Sequence, residues 1–207
     1  MTQRDKAFMH FKRADPALYK AGFPVRKQLP ESLPEIKTSQ KLFERLCRSV
    51  VGQQLATKAA SSIWARVVAA CGGKVTPEKL LATPLPDLRA AGLSGAKVKT
   101  LQSISTAVQN KSLNLLALKK LPEPDAIASL TAVWGIGTWT AEMFLMFALG
   151  RPDVFSVGDL GLVRSMERIY KLPKNGPKEK LLKLAAAWTP YQTYASLILW
   201  RSHDATK

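Results

Sequence analysis

The segment Leu130-Thr-Ala-Val-Trp-Gly-Ile-Gly-Thr-Trp-Thr-Ala141 sets Gly135 and Gly137 on either side of one apolar residue, Ile136. Between helices such a Gly-x-Gly makes a tight hairpin, because glycine accepts positive φ and lets another backbone come close. Gly135, Ile136, Gly137, Thr138 and Thr140 are the residues expected at a phosphate, because the amides that follow the turn open a helix whose dipole and first-turn N–H groups suit one. Carbonyls on the other side of the turn, at Thr131, Val133 and Ile136, could hold a monovalent cation, Na+ or K+. A plain turn between packed helices is the alternative for a Gly-x-Gly met alone. Further on, Val154-Phe-Ser-Val-Gly-Asp159 ends a Gly-containing loop on a carboxylate. Taken singly, Asp159 reads as a helix N-cap.

Helices have to hold these groups, and the punctuation is helical almost throughout. Ser39 to Gln54 carries Leu42, Phe43, Leu46, Val50 and Val51 at helical spacing, and Thr57 to Ala70 runs to the stop signal Gly72-Gly73. Thr76-Pro77 and Thr83-Pro84 each read as a cap followed by proline at the first helical position, the second heading Leu85 to Ala91. Gly95 to Asn110 carries Val98, Leu101, Ile104, Ser105 and Val108 on one face and is a further helix. Asp125 is expected to cap Ala126 to Val133. After the hairpin comes Thr138 to Leu149, with Met143, Met146 and Phe147 as core, and Asp159 opens Leu160 to Tyr170. Thr189-Pro190-Tyr191-Gln192 has the capping-box pattern ahead of Tyr191 to Trp200. No segment alternates as a strand does, so the expected class is all-α.

Charge narrows the partners. Thirty-one Lys and Arg stand against 15 Asp and Glu, a net charge of +16, with a pI near 10.1. Such a field attracts polyanions, nucleic acid foremost. An anionic membrane surface calls instead for a concentrated basic amphipathic helix, whereas these charges are spread along the chain. Apolar residues make up 46% of the sequence, ample for a core. The polar start is followed by no apolar run, and no apolar stretch is long enough for a bilayer, so an intracellular protein without a membrane partner is expected. Two cysteines, Cys47 and Cys71, are too few for a disulfide framework, a four-cysteine zinc site or an iron–sulfur cluster.

The hairpin, the loop and Asp159, in that order and spacing, resemble the helix-hairpin-helix DNA glycosylases, and within them the 3-methyladenine DNA glycosylase II group that excises alkylated bases. The resemblance covers nearly the whole chain: His10-Phe-Lys-Arg-Ala-Asp-Pro16, Ser49-Val-Val-Gly-Gln-Gln-Leu55 with Lys58-Ala-Ala60, Gly92-Leu-Ser94 with Lys97, Asp153 to Gly161, and Trp188-Thr-Pro-Tyr191 with Tyr194-Ala195 and Trp200. It implies a two-lobed all-α fold with the DNA cleft between the lobes, and one lobe holding both the hairpin and Asp159. Expected segments are a basic N-terminal stretch packed on the core (1–38), a first helical lobe with the DNA-intercalating loop (39–124), and the hairpin and catalytic region (125–207).

By the same resemblance Asp159 is the catalytic carboxylate, Trp139 and Trp200 belong to the base pocket, and Leu55, flanked by Gln53 and Gln54, is the wedge that fills the gap left by a flipped nucleotide. Met143 and Leu160 stand where bacterial members can carry aromatics. His10 and Lys97 are DNA-backbone contacts in this reading, while Lys99, Lys178, Lys180 and Lys183 read as solvated helix lysines or as phosphate contacts. Members that also cut the strand have a lysine nucleophile two residues after the second glycine. Here that residue is Trp139, and an indole forms no Schiff base. The expectation is therefore a monomeric, monofunctional glycosylase acting on damaged duplex DNA without a required cofactor, in the cytoplasm and nucleoid of a bacterium or the nucleus of a eukaryote. A non-catalytic hairpin DNA-binding protein, or a glycosylase for another damaged base, are the rivals.

Overall fold

The computed structural model describes residues 1–204. It is all-α, and no strand occurs among the described residues. None of its helices is long and apolar enough to cross a membrane. Two compact units divide the chain, one formed by residues 1–35 and 145–207, the other by 36–144.

The discontinuous unit joins both ends of the chain. It contains α1 (Gln3–Ala14), α2 (Pro16–Gly22), α10 (Leu160–Ile169), α11 (Lys178–Ala186) and α12 (Gln192–Asp204). Thr2 and Asp5 form a reciprocal capping box at the head of α1, which satisfies two first-turn donors at once. Phe8, Phe11 and Leu18 from the N-terminal helices are buried with Phe155, Leu162, Met166, Trp188, Tyr194 and Ile198. A Cβ on Gly22 would lie 2.7 Å from Ile198 Cδ1, so α2 and α12 touch where only glycine fits. Asp15, 8% exposed, caps α2 through the Leu18 amide (3.0 Å) and accepts from Tyr170 Oη (2.5 Å) and Trp188 Nε1 (2.8 Å). Burial and the neighbouring carboxylate push the Tyr170 phenol well above its ordinary range.

The continuous unit holds α3 (Ser39–Gly52), α4 (Thr57–Ala70), α5 (Pro77–Ala82), α6 (Leu85–Ala90), α7 (Gly95–Gln109), α8 (Glu123–Thr131) and the start of α9 (Thr138–Phe147). Its core takes Leu42, Phe43, Leu46 and Val50 from α3 and Val98, Leu101 and Ile104 from α7, the stripes expected from their spacing. Cys47 and Cys71 are buried thiols, and burial pushes the Cys47 thiol up.

Several local expectations are corrected. The N-terminal stretch forms two helices, α1 and α2. Of the two compact units the continuous one contains the hairpin and the other contains Asp159, with bounds at 35 and 144. Helix α8 begins at Glu123 after Pro122, which puts Asp125 inside the first turn rather than at the cap. Thr83 ends α5, its hydroxyl donating back to the Lys79 carbonyl at 2.7 Å. Helix α12 starts at Gln192, not from Thr189; its first amides are taken by the loop before α10, Gln192 N donating to Asp153 Oδ1 (3.2 Å) and Thr193 N to the Pro152 carbonyl (2.9 Å).

Candidate active site

Asp159 sits at the N-cap of α10 with extended backbone. Its Oδ1 accepts from the Leu162 amide at 2.9 Å and from Trp200 Nε1 at 3.0 Å. The N-cap reading and the pairing with Trp200 are therefore both realised by one oxygen. Two donors from different elements fix where this carboxylate oxygen lies.

The preceding loop is tied down on the same side. Thr193, fully buried, donates from its hydroxyl to the Arg151 carbonyl (2.7 Å) and accepts from the Val154 amide (3.2 Å). Ser165 of α10 donates to the Leu199 carbonyl of α12 at 2.8 Å. Thus α12, the helix that carries Trp200, also holds both ends of the segment that carries Asp159. Phe147, expected in the core with Met143 and Met146, is half-buried and lays its ring 5.9 Å from that of Trp200. A Cβ on Gly161 would stand 3.1 Å from Asp159 Oδ1 and 3.3 Å from Trp200 Cδ1. Leu160, at the first helical position, is 72% exposed.

The hairpin is built in the other unit. Gly135 takes φ +86, and a Cβ there would fall 2.0 Å from Thr100 Oγ1, so α7 presses directly on the turn. Gly137 differs from expectation. Its φ is not positive, and a Cβ on it would meet nothing within 4 Å. Ile136 points inward, 4% exposed, and its amide donates to the Val133 carbonyl at 3.1 Å. Of the five residues expected to bind phosphate, Ile136 is thus an anchor. The first α9 hydrogen bond runs from Ala141 N to the Gly137 carbonyl at 3.1 Å, which leaves the amides of the first turn ahead of the helical ladder. Thr138 is exposed and Thr140 buried. Trp139 is 45% exposed.

Helix α3 ends at Gly52, and the turn after it carries Gln54 at φ +57 and Leu55 40% exposed. Leu55 is thus not a core residue. Gln53 faces inward, its amide nitrogen donating to Thr140 Oγ1 at 3.0 Å, so it braces the hairpin helix. Lys97 also turns in. Its ammonium donates to the carbonyls of Val51 (2.8 Å) and Gln53 (2.9 Å), and burial holds its pKa below the usual lysine range. His10 Nε2 meets the Ala187 carbonyl at 2.9 Å and its ring packs 5.6 Å from Tyr191. Both residues expected on the DNA backbone thus have partners within their own unit. Lys178, Lys180 and Lys183 are exposed along α11.

A family model described as HhH-GPD superfamily base excision DNA repair protein matches residues 47–190. The chain belongs to this superfamily. Among its HhH-GPD relatives, DNA-3-methyladenine glycosylase 1 of Schizosaccharomyces pombe is 34% identical over 166 residues, 77% of this chain and 72% of that protein. The crystal structure of a DNA-3-methyladenine glycosidase from Bacillus halodurans superimposes with a TM-score of 0.83 at 35% identity, covering 99% of this chain and 91% of the other. A Schizosaccharomyces pombe 3-methyladenine DNA glycosylase in complex with abasic DNA gives a TM-score of 0.79 at 31% identity, with 95% of each chain covered. The match spans 58% of the length of one Bacillus subtilis relative.

The residues that sequence reasoning missed in this HhH-GPD chain are Gly161, Thr193 and Phe147. Gly161 had a signal, as a glycine in a helix's first turn two residues past a candidate carboxylate. Thr193 and Phe147 had none, since their partners lie far off in sequence.

Proposed function

We propose that this chain is a monofunctional DNA glycosylase that hydrolyses the N-glycosidic bond of alkylated purines in duplex DNA, 3-methyladenine first and 7-methylguanine among related lesions, leaving an abasic site. The observation that carries the reading is the Asp159 carboxylate, held by the Leu162 amide and the Trp200 indole, in a chain of this family.

The chemistry asks for little more. As the bond from C1′ to the base nitrogen breaks, the sugar becomes oxocarbenium-like and a fixed anion stabilises it. The base departs with the bonding pair, and a water adds to C1′ and passes its proton to the Asp159 carboxylate or to solvent. A base alkylated at a ring nitrogen already carries positive charge, so it leaves neutral without a general acid. Trp139 and Trp200 each offer an electron-rich face to such a cation, worth about 0.5–2 kcal/mol per contact. Leu55, exposed on its turn, is suited to enter the gap left when the nucleotide flips out. Gly137, open on the side where a Cβ would stand, allows a phosphate to approach the first-turn amides of α9.

The proposal includes a monovalent cation at the hairpin carbonyls of Thr131, Val133 and Ile136, the second of which also accepts from the Ile136 amide. Neutral oxygens suit Na+ or K+, whereas divalent ions draw on carboxylates, and no cluster of three or more His, Cys, Asp or Glu occurs among the described residues. The reading needs no redox or organic cofactor, one copy of the chain, and a location where the host keeps its DNA. A non-catalytic binder would have no use for the Asp159–Trp200 pair. Base release from methylated duplex DNA tests the proposal. Wild type should free 3-methyladenine, with strand nicks only after alkali and no covalent complex trapped by borohydride, while Asp159→Asn should bind DNA yet lose at least about a hundredfold in release. Undiminished release by that variant overturns it.

A further inference from the structure

A second groove opens beside the hairpin within the continuous unit. It has a volume of about 570 Å³ and is lined by Lys99, Gln102, Ser103, Thr106 and Asn110 along α7 and by Trp134 at the end of the hairpin's first arm, among others. The α7 residues follow helical spacing, so they form one polar stripe leading away from the turn. Among the described lining residues there is no carboxylate. Trp134 is 47% exposed, an unusual placing for so large an apolar ring, and Lys99 Nζ stands 4.3 Å above its centre. Lys99 and Trp134 also adjoin, in sequence, the two residues whose contact sets the hairpin against α7, Thr100 and Gly135. The comparison with Lys97 is informative. Its ammonium, two residues earlier on the same helix, is taken up by the carbonyls of Val51 and Gln53, whereas that of Lys99 lies over an exposed ring in the groove lining.

We propose that this groove is a second DNA-backbone site, in which Lys99, positioned by stacking on Trp134, neutralises the phosphate next to the one gripped by the hairpin. The inference rests on the DNA-acting reading above and extends its footprint along one strand. Three features suit a phosphodiester: a cation in the lining, neutral hydroxyl and amide groups along the same stripe, and no carboxylate among the described lining residues. The indole face limits the lysine to a narrow range of positions, which reduces the entropy lost when a long side chain grips a ligand. Trp134 is therefore a positioning residue, and Lys99 the contact.

The decisive measurement is the salt dependence of binding, by fluorescence anisotropy, to a short labelled duplex carrying an abasic-site analogue. For Lys99→Gln the slope of log K against log salt should flatten by about 0.9, the loss of one phosphate contact, and affinity at low salt should fall severalfold. Lys99→Arg should keep the slope, Trp134→Phe should keep most of it, and Trp134→Ala should lose part. Because a purely structural role would alter thermal stability rather than the slope, melting curves of each variant separate the two. An unchanged slope in a well-folded Lys99→Gln protein overturns the inference while leaving the glycosylase reading intact. Salt-insensitive or absent binding by the wild type overturns both.

Discussion

Trp200 Nε1 donates to the same Asp159 oxygen that caps α10, at 3.0 Å against 2.9 Å for the Leu162 amide. An aromatic expected to face the substrate is thereby also the group that orients the carboxylate. Changing Trp200 to Phe keeps a ring and removes the donor. Base release should fall roughly tenfold, the worth of one charge-assisted hydrogen bond, while the melting temperature barely moves. Single-turnover release set beside thermal denaturation reads both.

Gly161→Ala probes the same pair from its crowded side. A methyl 3.1 Å from Asp159 Oδ1 forces the carboxylate or the indole to give way. Alanine favours helix by up to about 1 kcal/mol, so the variant should melt no lower than wild type and yet release base more slowly. Full activity in Gly161→Ala would show that the oxygen's position tolerates displacement.

Lys97 should act on the proposed wedge, Leu55, through the backbone. Its ammonium bonds to the Gln53 carbonyl, one residue before the strained Gln54 and two before Leu55. Lys97→Met should cost about 1–3 kcal/mol of stability through the carbonyls left without a donor. Release of a base opposite its normal partner should suffer more than release from a mismatch, since a loose wedge matters most where the duplex resists opening. Equal losses on both duplexes would count against this role.

At the hairpin, Gly135→Ala meets both a positive φ and Thr100 Oγ1. The two together should destabilise by about 2–4 kcal/mol and weaken DNA binding. Adding Thr100→Ala should recover part of the stability, because it removes the nearest clashing atom and leaves the backbone strain. Chemical denaturation of the single and double variants is the check.

Acid should loosen the discontinuous unit at its N-terminal edge. The Arg26 guanidinium, 2.7 Å away, and the Thr2 hydroxyl lower the Asp5 pKa from 3.8 to about 2. A carboxylate with a depressed folded pKa stabilises the fold above its unfolded value and loses that contribution as pH falls through the folded one. Stability should therefore drop between about pH 4 and pH 2, and Asp5→Asn should flatten that limb of a pH–stability curve.

Much of this was legible because it is local. The α3 and α7 stripes, the Gly-x-Gly turn and Asp159 as a cap all follow from residues within a turn or two of each other. The helices α1 and α2 were not recognised, since Arg4, Lys6, Lys12 and Arg13 crowd around the few apolar anchors Ala7, Phe8 and Phe11 and hide their spacing. The inward turns of Lys97, Gln53 and His10 were equally hidden: each side chain is claimed by a carbonyl or hydroxyl remote in sequence, and residue type alone reads as a free surface group. Thr189 shows the reverse error. Its local pattern promised a cap, but Asp153 and Pro152, brought in by the fold, took the amides that a cap would serve.

The Asp15 carboxylate binds Tyr170 and Trp188, 155 and 173 residues away, in a unit assembled from both ends of the chain. Synthesis on the ribosome meets that arrangement in a fixed order. Phe8 and Phe11 emerge with only near neighbours such as Leu18, Tyr19 and Leu29 to pack against until α10 to α12 follow, whereas residues 36–144 come out as one uninterrupted stretch. The interior unit should acquire protease resistance on stalled nascent chains well before the discontinuous one, so the Asp159–Trp200 hydrogen bond should form only after the unit that carries the hairpin.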